Sequence, residues 1–159
     1  MRHQRVMKKF GRSSAHRKAL MKSLVTNLIL AESIKTTLPK AKEARKDADH
    51  MVTIARRGLA AAAAEKPKPE ALLAARRLAA SRLQQPKAVQ KLFDKIAPAM
   101  KDRNGGYTRI IKLGARKGDA AEMCILQWVT APEAVDKKPA AEEAPAAEAP
   151  AAITFMVQI

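Results

Sequence analysis

Residues 104–129 read NGGYTRIIKLGARKGDAAEMCILQWV, and the chain changes its periodicity within this stretch. Before it, apolar residues recur at helical spacing. Segments 107–113 and 122–129 instead contain β-branched and aromatic residues in alternation, which predicts two strands. The intervening loop, 114–119, contains two glycines and can close a hairpin. A hairpin that follows a series of helices is typical of an α+β domain.

The preceding part of the chain predicts helices and one short strand. A β-branched segment at 33–37 predicts the strand, and Ser13 or Ser14 is suited to cap the first helix. We expect Leu20, Leu24, Leu28 and Ala31 to form the inner stripe of that helix, and Gly58 to end the second. Three strands form a thin sheet, so the helices should cover one face of a small mixed three-stranded sheet. The predicted helices span about 15–31, 39–57, 70–84 and 87–97.

The 159 residues have room for one domain with its own core and for two tails. We divide the chain into a basic arm (1–12), an α+β domain (13–130), a low-complexity Ala/Pro/Glu tail (131–152) and an apolar end (153–159). The tail is expected to be disordered. The apolar end alternates like a strand, and two readings stay open: an unstructured end, or a strand that adds to a sheet edge of this chain or of a neighbour.

The formal net charge of +16 is distributed unevenly. Residues 1–22 contain eight Lys or Arg and no Asp or Glu, whereas residues 119–159 carry a net charge of −5. A dense run of one sign cannot stabilise its own core, so the arm is expected to become ordered only against a polyanion. A mitochondrial targeting segment is the alternative for this N-terminus, and a secretory signal is not, because no apolar stretch follows the charges.

The sequence does not assemble a catalytic or metal site. The three histidines, His3, His16 and His50, have basic or solvated neighbours, and the single cysteine, Cys124, has no further ligands at metal spacing. Glycine-rich nucleotide loops are also missing from the sequence. We therefore expect no enzymatic activity, no cofactor and no metal, and the lone cysteine fits a reducing compartment.

A second candidate binding segment lies at the start of the predicted hairpin. Gly105 and Gly106 allow close approach of another molecule to the backbone. Tyr107 and Arg109 are expected to point to the same side of the strand, and the tyrosine ring could stack on a base or pack on the sheet. Because the chain has only five aromatic residues, recognition of single strands by serial stacking is a poor fit.

Several short motifs follow one another along the chain. They are Met1-Arg2-His3, Gly11-Arg12, Ser14-Ala15-His16-Arg17, Ile34-Lys35-Thr36-Thr37, Lys40-Ala41-Lys42-Glu43, Lys91-Leu92-Phe93, Ala97-Pro98, Gly105-Gly106-Tyr107-Thr108-Arg109-Ile110 and Gly118-Asp119-Ala120-Ala121. Taken together and in this order, they resemble the bacterial large-subunit ribosomal protein seventeen family. The resemblance covers about residues 1–129, and the tail 131–159 has no counterpart in the family pattern.

The resemblance implies a compact α+β protein that binds large-subunit ribosomal RNA near the exit of the nascent-peptide tunnel, beside other ribosomal proteins. It implies a cytoplasmic, ribosome-bound protein without catalysis, membrane contact or small-molecule substrate. The alternative is a histone-like basic protein that binds duplex DNA. A sheet after a helical body argues against that alternative.

Charge and the resemblance together predict a set of RNA-binding residues in three regions. The arm and first helix contribute Arg2, His3, Arg5, Lys8, Lys9, Arg12, Ser14, His16, Arg17, Lys18 and Lys22. The first strand and the start of the second helix contribute Lys35, Thr36, Thr37 and Lys40. The hairpin region contributes Arg103, Tyr107, Arg109, Lys112, Arg116 and Lys117.

Overall fold

The computed structural model describes residues 8–64 and 69–130. The predicted disordered tail and the predicted strand at 153–159 lie outside these ranges. The helices are α1 (Ser14–Ala31), α2 (Leu38–Ala62), α3 (Pro69–Arg82), α4 (Pro86–Lys91) and α5 (Ala97–Ala99), with a π-helical turn at Leu92–Ile96 joining the last two. The strands are β1 (Ser33–Thr37), β2 (Thr108–Ala115) and β3 (Glu122–Trp128).

The three strands form one sheet in the order β1-β3-β2, so the last strand of the sequence is central. β1 pairs antiparallel with β3 from Ser33–Gln127 to Thr37–Met123, and β2 pairs antiparallel with the other edge of β3. The predicted α+β class is confirmed, but the prediction of a mixed sheet is wrong. β1 and β2 do run in the same direction, yet β3 lies between them and every pairing is therefore antiparallel.

Both ends of α1 are fixed by specific hydrogen bonds. Ser13 caps the helix as predicted, its Oγ accepting from the backbone N–H of His16 at 3.4 Å. At the other end, Glu32 adopts a left-handed conformation with φ 65°. Lys91 then joins this end to α4, because its Nζ donates to Leu30 O at 2.9 Å and pairs with Glu32 Oε1 at 2.6 Å.

The core lies between the helices and one face of the sheet. Cys124, Leu126 and Trp128 alternate along β3 and are buried, and Trp128 Nε1 donates to Leu28 O of α1 at 3.2 Å. The buried stripe of α1 differs from the prediction, since Leu28 is buried but Leu20 and Leu24 are half-buried and Ala31 is exposed. The residues that complete the stripe are Met21, Val25, Thr26 and Ile29.

α2 presents a face of small residues to the rest of the domain. Its alanines Ala41, Ala44, Ala48 and Ala55 are fully buried. The prediction that Gly58 ends this helix is wrong, because α2 continues to Ala62 and Gly58 is buried within it. A Cβ atom placed on Gly58 would lie 2.6 Å from the Cβ of Ala75, so the glycine permits the close crossing of α2 and α3.

The base of the arm is folded in this structure. Residues 8–12 contain a turn in which Arg12 N donates to Lys9 O at 3.2 Å, and Phe10 packs against the core. We predicted that the arm is unfolded through residue 12, which is wrong for residues 8–12. The Phe10 side chain provides an apolar contact with the core, which the run of positive charges did not indicate.

We predict that Gly58→Ala destabilises the protein, although alanine usually favours a helix over glycine by about 1 kcal/mol. The added methyl group meets Ala75 inside a packed crossing, where overpacking costs about 1–3 kcal/mol. Urea unfolding measures the change in the free energy of unfolding. Combining Gly58→Ala with Ala75→Gly should recover part of the loss, and a stabilised single variant would contradict the close crossing.

Candidate nucleic-acid interface

The basic residues of α1 lie beside the end of α3 and surround a surface depression, which we call the basic hollow. Its volume is about 460 Å³. Its rim carries four cationic side chains, Arg17, Lys18 and Lys22 from α1 and Arg82 from α3. The first three belong to the predicted RNA-binding residues. Arg82 was missed because the neighbouring arginines of α3 look like an ordinary solvated helix face, and only the helix crossing brings it to the rim.

The rim of the basic hollow is held in place by contacts between α1 and the end of α3. Lys22 Nζ donates to Ser81 O at 2.7 Å, and Gln84 N donates to Thr26 Oγ1 at 3.2 Å. The lysine thus satisfies a carbonyl near the end of α3, where helices leave their last carbonyl groups unpaired. Two helices from distant parts of the chain therefore present their charges at a fixed separation.

The uncovered face of the sheet forms a second surface, which we call the outer sheet face. The register aligns Lys35, Ile125 and Ile111 in one row across the three strands. Arg109 lies in the adjacent row, is exposed, and donates to Val129 O at 3.3 Å. Ile111 and Leu113 are 41% and 47% exposed, so this surface combines cations with apolar groups.

Arg56 of α2 organises the loop before β2, and it is not among the residues predicted from the sequence. Its guanidinium donates to Lys101 O at 2.6 Å, to Tyr107 Oη at 2.7 Å and to the carbonyl of Arg103. The loop backbone and the tyrosine hydroxyl are thus tied to α2. The signal in the sequence was weak, because Arg56 lies next to exposed Arg57 and the pair looks like a helix surface.

Tyr107 and Arg109 do not point to the same side, contrary to the prediction. Tyr107 precedes β2 and is only 2% exposed, whereas Arg109 is exposed. The ring is therefore packed in the core, and its face is not available for stacking on a base. Thr108 is also buried, and its Oγ1 donates to Asp49 Oδ1 at 3.1 Å.

The tip of the β2–β3 hairpin carries an internal ion pair. Arg116 Nε donates to Asp119 Oδ1 at 3.0 Å, and a second guanidinium nitrogen contacts the other carboxylate oxygen. These hydrogen bonds, together with one from Ala121 N, lower the pKa of Asp119 from 3.8 to about 2. Arg116 is thus largely neutralised within the hairpin, while Lys117 is exposed.

The other predicted residues are spread over the same surfaces. The side chain of Thr36 is 9% exposed and lies opposite Cys124 on the covered face of the sheet, so it does not contribute to the outer sheet face. Arg2, His3 and Arg5 lie outside the described residues. The exposed positions are Lys8, Lys9, Ser14, His16, Lys18, Lys22, Lys35, Arg103, Arg109, Lys112, Arg116 and Lys117, and the half-buried ones are Arg12, Arg17, Thr37 and Lys40.

The geometry defines a class of protein: a small, strongly basic α+β protein that carries its positive charge on broad surfaces. Across residues 8–64 and 69–130, no three His, Cys, Asp or Glu side chains come together as a metal site would require. None of the helices in the same ranges combines the length and apolar character of a membrane span.

Comparison with known proteins identifies the family. The family model of ribosomal protein L17 matches residues 20–129. A large ribosomal subunit protein bL17 of Alkaliphilus metalliredigens is 48% identical over 77% of this chain and 96% of its own length. The protein of the same name from Ruegeria pomeroyi is 45% identical over 96% of this chain and 98% of its own length. The chain belongs to the ribosomal protein L17 family, whose members are structural components of the ribosome and not enzymes.

These relatives also correct one expectation about the tail. An alignment that covers 96% of the 159 residues must extend well beyond residue 130. The protein of Allorhizobium ampelinum, 42% identical, is likewise aligned over 94% of this chain. Most of the tail 131–159 is therefore aligned with residues of these relatives, although the short motifs of the sequence did not reveal this.

We predict that Arg56→Gln lowers the free energy of unfolding by about 1–3 kcal/mol, because it leaves loop carbonyls and the Tyr107 hydroxyl without their donor. Chemical unfolding gives the magnitude, and hydrogen exchange should report faster opening of residues 101–107. Arg57→Gln, which removes the same charge from the exposed neighbour, is the control. Equal effects of the two variants would contradict the role of Arg56.

We also predict that Asp119 titrates near pH 2 in the folded protein, as measured by NMR of its carboxyl carbon. Because the folded pKa lies below the ordinary value of 3.8, the ion pair supports the hairpin above about pH 4 and is lost as the pH falls through about 2. Arg116→Gln should return the midpoint toward the ordinary value. Lys117→Gln should not, and an unshifted wild-type midpoint would exclude the ion pair in solution.

Proposed function

We propose that this protein is a structural constituent of the large ribosomal subunit that binds ribosomal RNA and supports translation as a cytoplasmic, ribosome-bound protein. The observation that carries the proposal is the fixed array of cations on α1, which continues from the basic arm to the rim of the basic hollow. Family membership supports the ribosomal role, since the relatives are named as large ribosomal subunit proteins.

Binding through these surfaces rests mainly on charge. Lys and Arg that neutralise phosphates release condensed counterions, so affinity arises without a deep pocket and depends steeply on salt. A narrow basic arm can enter gaps between RNA helices that a globular body cannot reach. The exposed Lys8 and Lys9 lie at the base of this arm. Arg17, Lys18 and Lys22 then continue the contact along α1.

The outer sheet face supports a second contact. Lys35 and Arg109 can reach phosphates, while Ile111 and Leu113 leave an exposed apolar area of the kind that marks an interface with another macromolecule. We assign this surface to ribosomal RNA and to neighbouring ribosomal proteins near the exit of the nascent-peptide tunnel. Exposed Lys117 at the hairpin tip and exposed Arg103 in the loop before β2 add further cations. Lys112 is also exposed but lies opposite Cys124, in the row that belongs to the other face of the sheet.

The experiment that tests the function is sedimentation of cell lysate. The protein should comigrate with the large ribosomal subunit and remain there through a high-salt wash, because contacts with neighbouring ribosomal proteins and enclosure in the assembled particle retain it when the phosphate contacts weaken. Complete release at moderate salt would overturn the proposal. If the protein is instead a histone-like DNA binder, it should be recovered with DNA and released when that DNA is digested with nuclease. Crosslinking of this protein to nascent chains of stalled ribosomes tests the location at the tunnel exit.

We predict that deleting residues 1–7 flattens the salt dependence of RNA binding without destabilising the domain. This deletion removes Arg2 and Arg5 but keeps the Phe10 anchor. If both arginines contact phosphates, the magnitude of the slope of log K against log salt should decrease by roughly 1.4–1.8, measured by filter binding. The melting temperature is the control. A large decrease in it would mean that residues 1–7 support the fold instead.

A further inference from the structure

The basic hollow is a concave charged surface with an apolar floor. Met21 and Val25 of α1 and Met51 of α2 close its base. The methylene stems of the rim cations add to this apolar lining, as long basic side chains commonly do. At about 460 Å³, its volume falls within the range of about 300–1,000 Å³ that is typical of sites for small ligands.

One carboxylate faces into this basic surrounding. Asp47 of α2 lines the basic hollow, and burial raises the pKa of its carboxyl group, against the opposing charges of Arg82 and His50. Within the described part of the chain, no hydrogen bond or ion pair satisfies this carboxylate. The carboxylate is half-buried, and no fully buried side-chain oxygen among the described residues lacks a partner. The Asp47 oxygens are therefore accessible and can accept hydrogen bonds from a bound molecule.

The combination restricts the ligand. The cationic rim favours an anion, the apolar floor can contact a flat hydrophobic surface, and Asp47 can accept hydrogen bonds from a donor. A nucleotide unit of RNA supplies all three as phosphate, base face and base edge, and RNA-binding proteins commonly recognise bases that have left the helical stack. Guanine fits the carboxylate best, because its N1–H and N2–H donors are adjacent and parallel and can meet both oxygens.

We propose that the basic hollow is a base-specific RNA site that receives one unstacked guanosine of the ribosomal RNA. The base lies on the Met21–Val25–Met51 floor with its N1–H and N2–H donated to Asp47. Arg17, Lys18 and Arg82 bind the adjoining phosphates. This inference rests on the proposed function, and it adds a single position of sequence recognition to a surface that otherwise binds by charge.

The direction in which one substitution changes RNA affinity distinguishes this proposal from binding by charge alone. Asp47→Asn removes a negative charge from a basic surface, and on charge alone it should strengthen the binding of RNA. If the carboxylate receives guanine, the same change should weaken binding by about tenfold, since a bidentate base contact contributes a factor of this order. Asp94→Asn is the matched control, because Asp94 is exposed and lies outside the hollow.

The experiment uses the full chain and a full-length large-subunit ribosomal RNA transcript, with affinity from filter binding and base contacts from kethoxal, which modifies unpaired guanines at N1 and N2. We expect the wild-type protein and Asp94→Asn to protect one guanine, and Asp47→Asn to leave it reactive. Tighter or unchanged binding by Asp47→Asn, or unaltered guanine protection, would overturn the proposal.

Arg82→Gln provides an independent variant in case Asp47→Asn does not fold, with Arg77→Gln on the same helix as its control. We expect Arg82→Gln to reduce both affinity and guanine protection, and Arg77→Gln to retain the protection. Equal effects of the two variants would overturn the assignment of the site. Salt-dependent binding of the transcript without any protected base would overturn the guanine site alone, whereas failure to bind the transcript would overturn the proposed function itself.

Discussion

The close approach of helices to the small-residue face of α2 is the constraint on which the domain depends. Alanines at 41, 44, 48 and 55 and the glycine at 58 keep this face narrow, so that the sheet and α3 both reach the same helix. The crossing at Gly58 brings the end of α3 to α1, where Lys22 and Ser81 join the two helices. The basic hollow exists because of this crossing, since its rim is shared between them.

The sequence predicted the type and order of the elements well, because each has a strong local signal. Periodicity indicated the helices, and β-branched alternation indicated the strands. The errors arose where a tertiary contact decides the outcome. Gly58 resembles a helix terminator until α3 lies against it, and the inner stripe of α1 is centred on Met21 and Val25 because β3 meets α1 at Leu28. The order of the strands also follows from long-range pairing, which no local pattern reveals.

Candidate binding residues were harder to predict than the fold. Charge density located the basic face of α1, but density does not distinguish a cation that faces solvent from one that holds the structure together. Arg116 is paired with Asp119, and Arg56 anchors a loop, while Tyr107 is buried beneath it. The positions of Arg82 and Asp47 in one depression could not be predicted from the sequence, because they lie on different helices that only the tertiary packing brings together. The family motifs indicated the protein family, and the packing indicates which basic surfaces are exposed.

The antiparallel pairing of β1 with β3 has a consequence for synthesis of the chain. Residues 33–37 pair with residues 123–127, so the first strand cannot join the sheet until nearly the whole domain has left the ribosome. The bond between Trp128 and Leu28 spans 100 positions in the same way. Long-range closure of this kind slows folding. During that interval the newly made α1 lacks the partners on β3 and α3 that hold it in the finished domain.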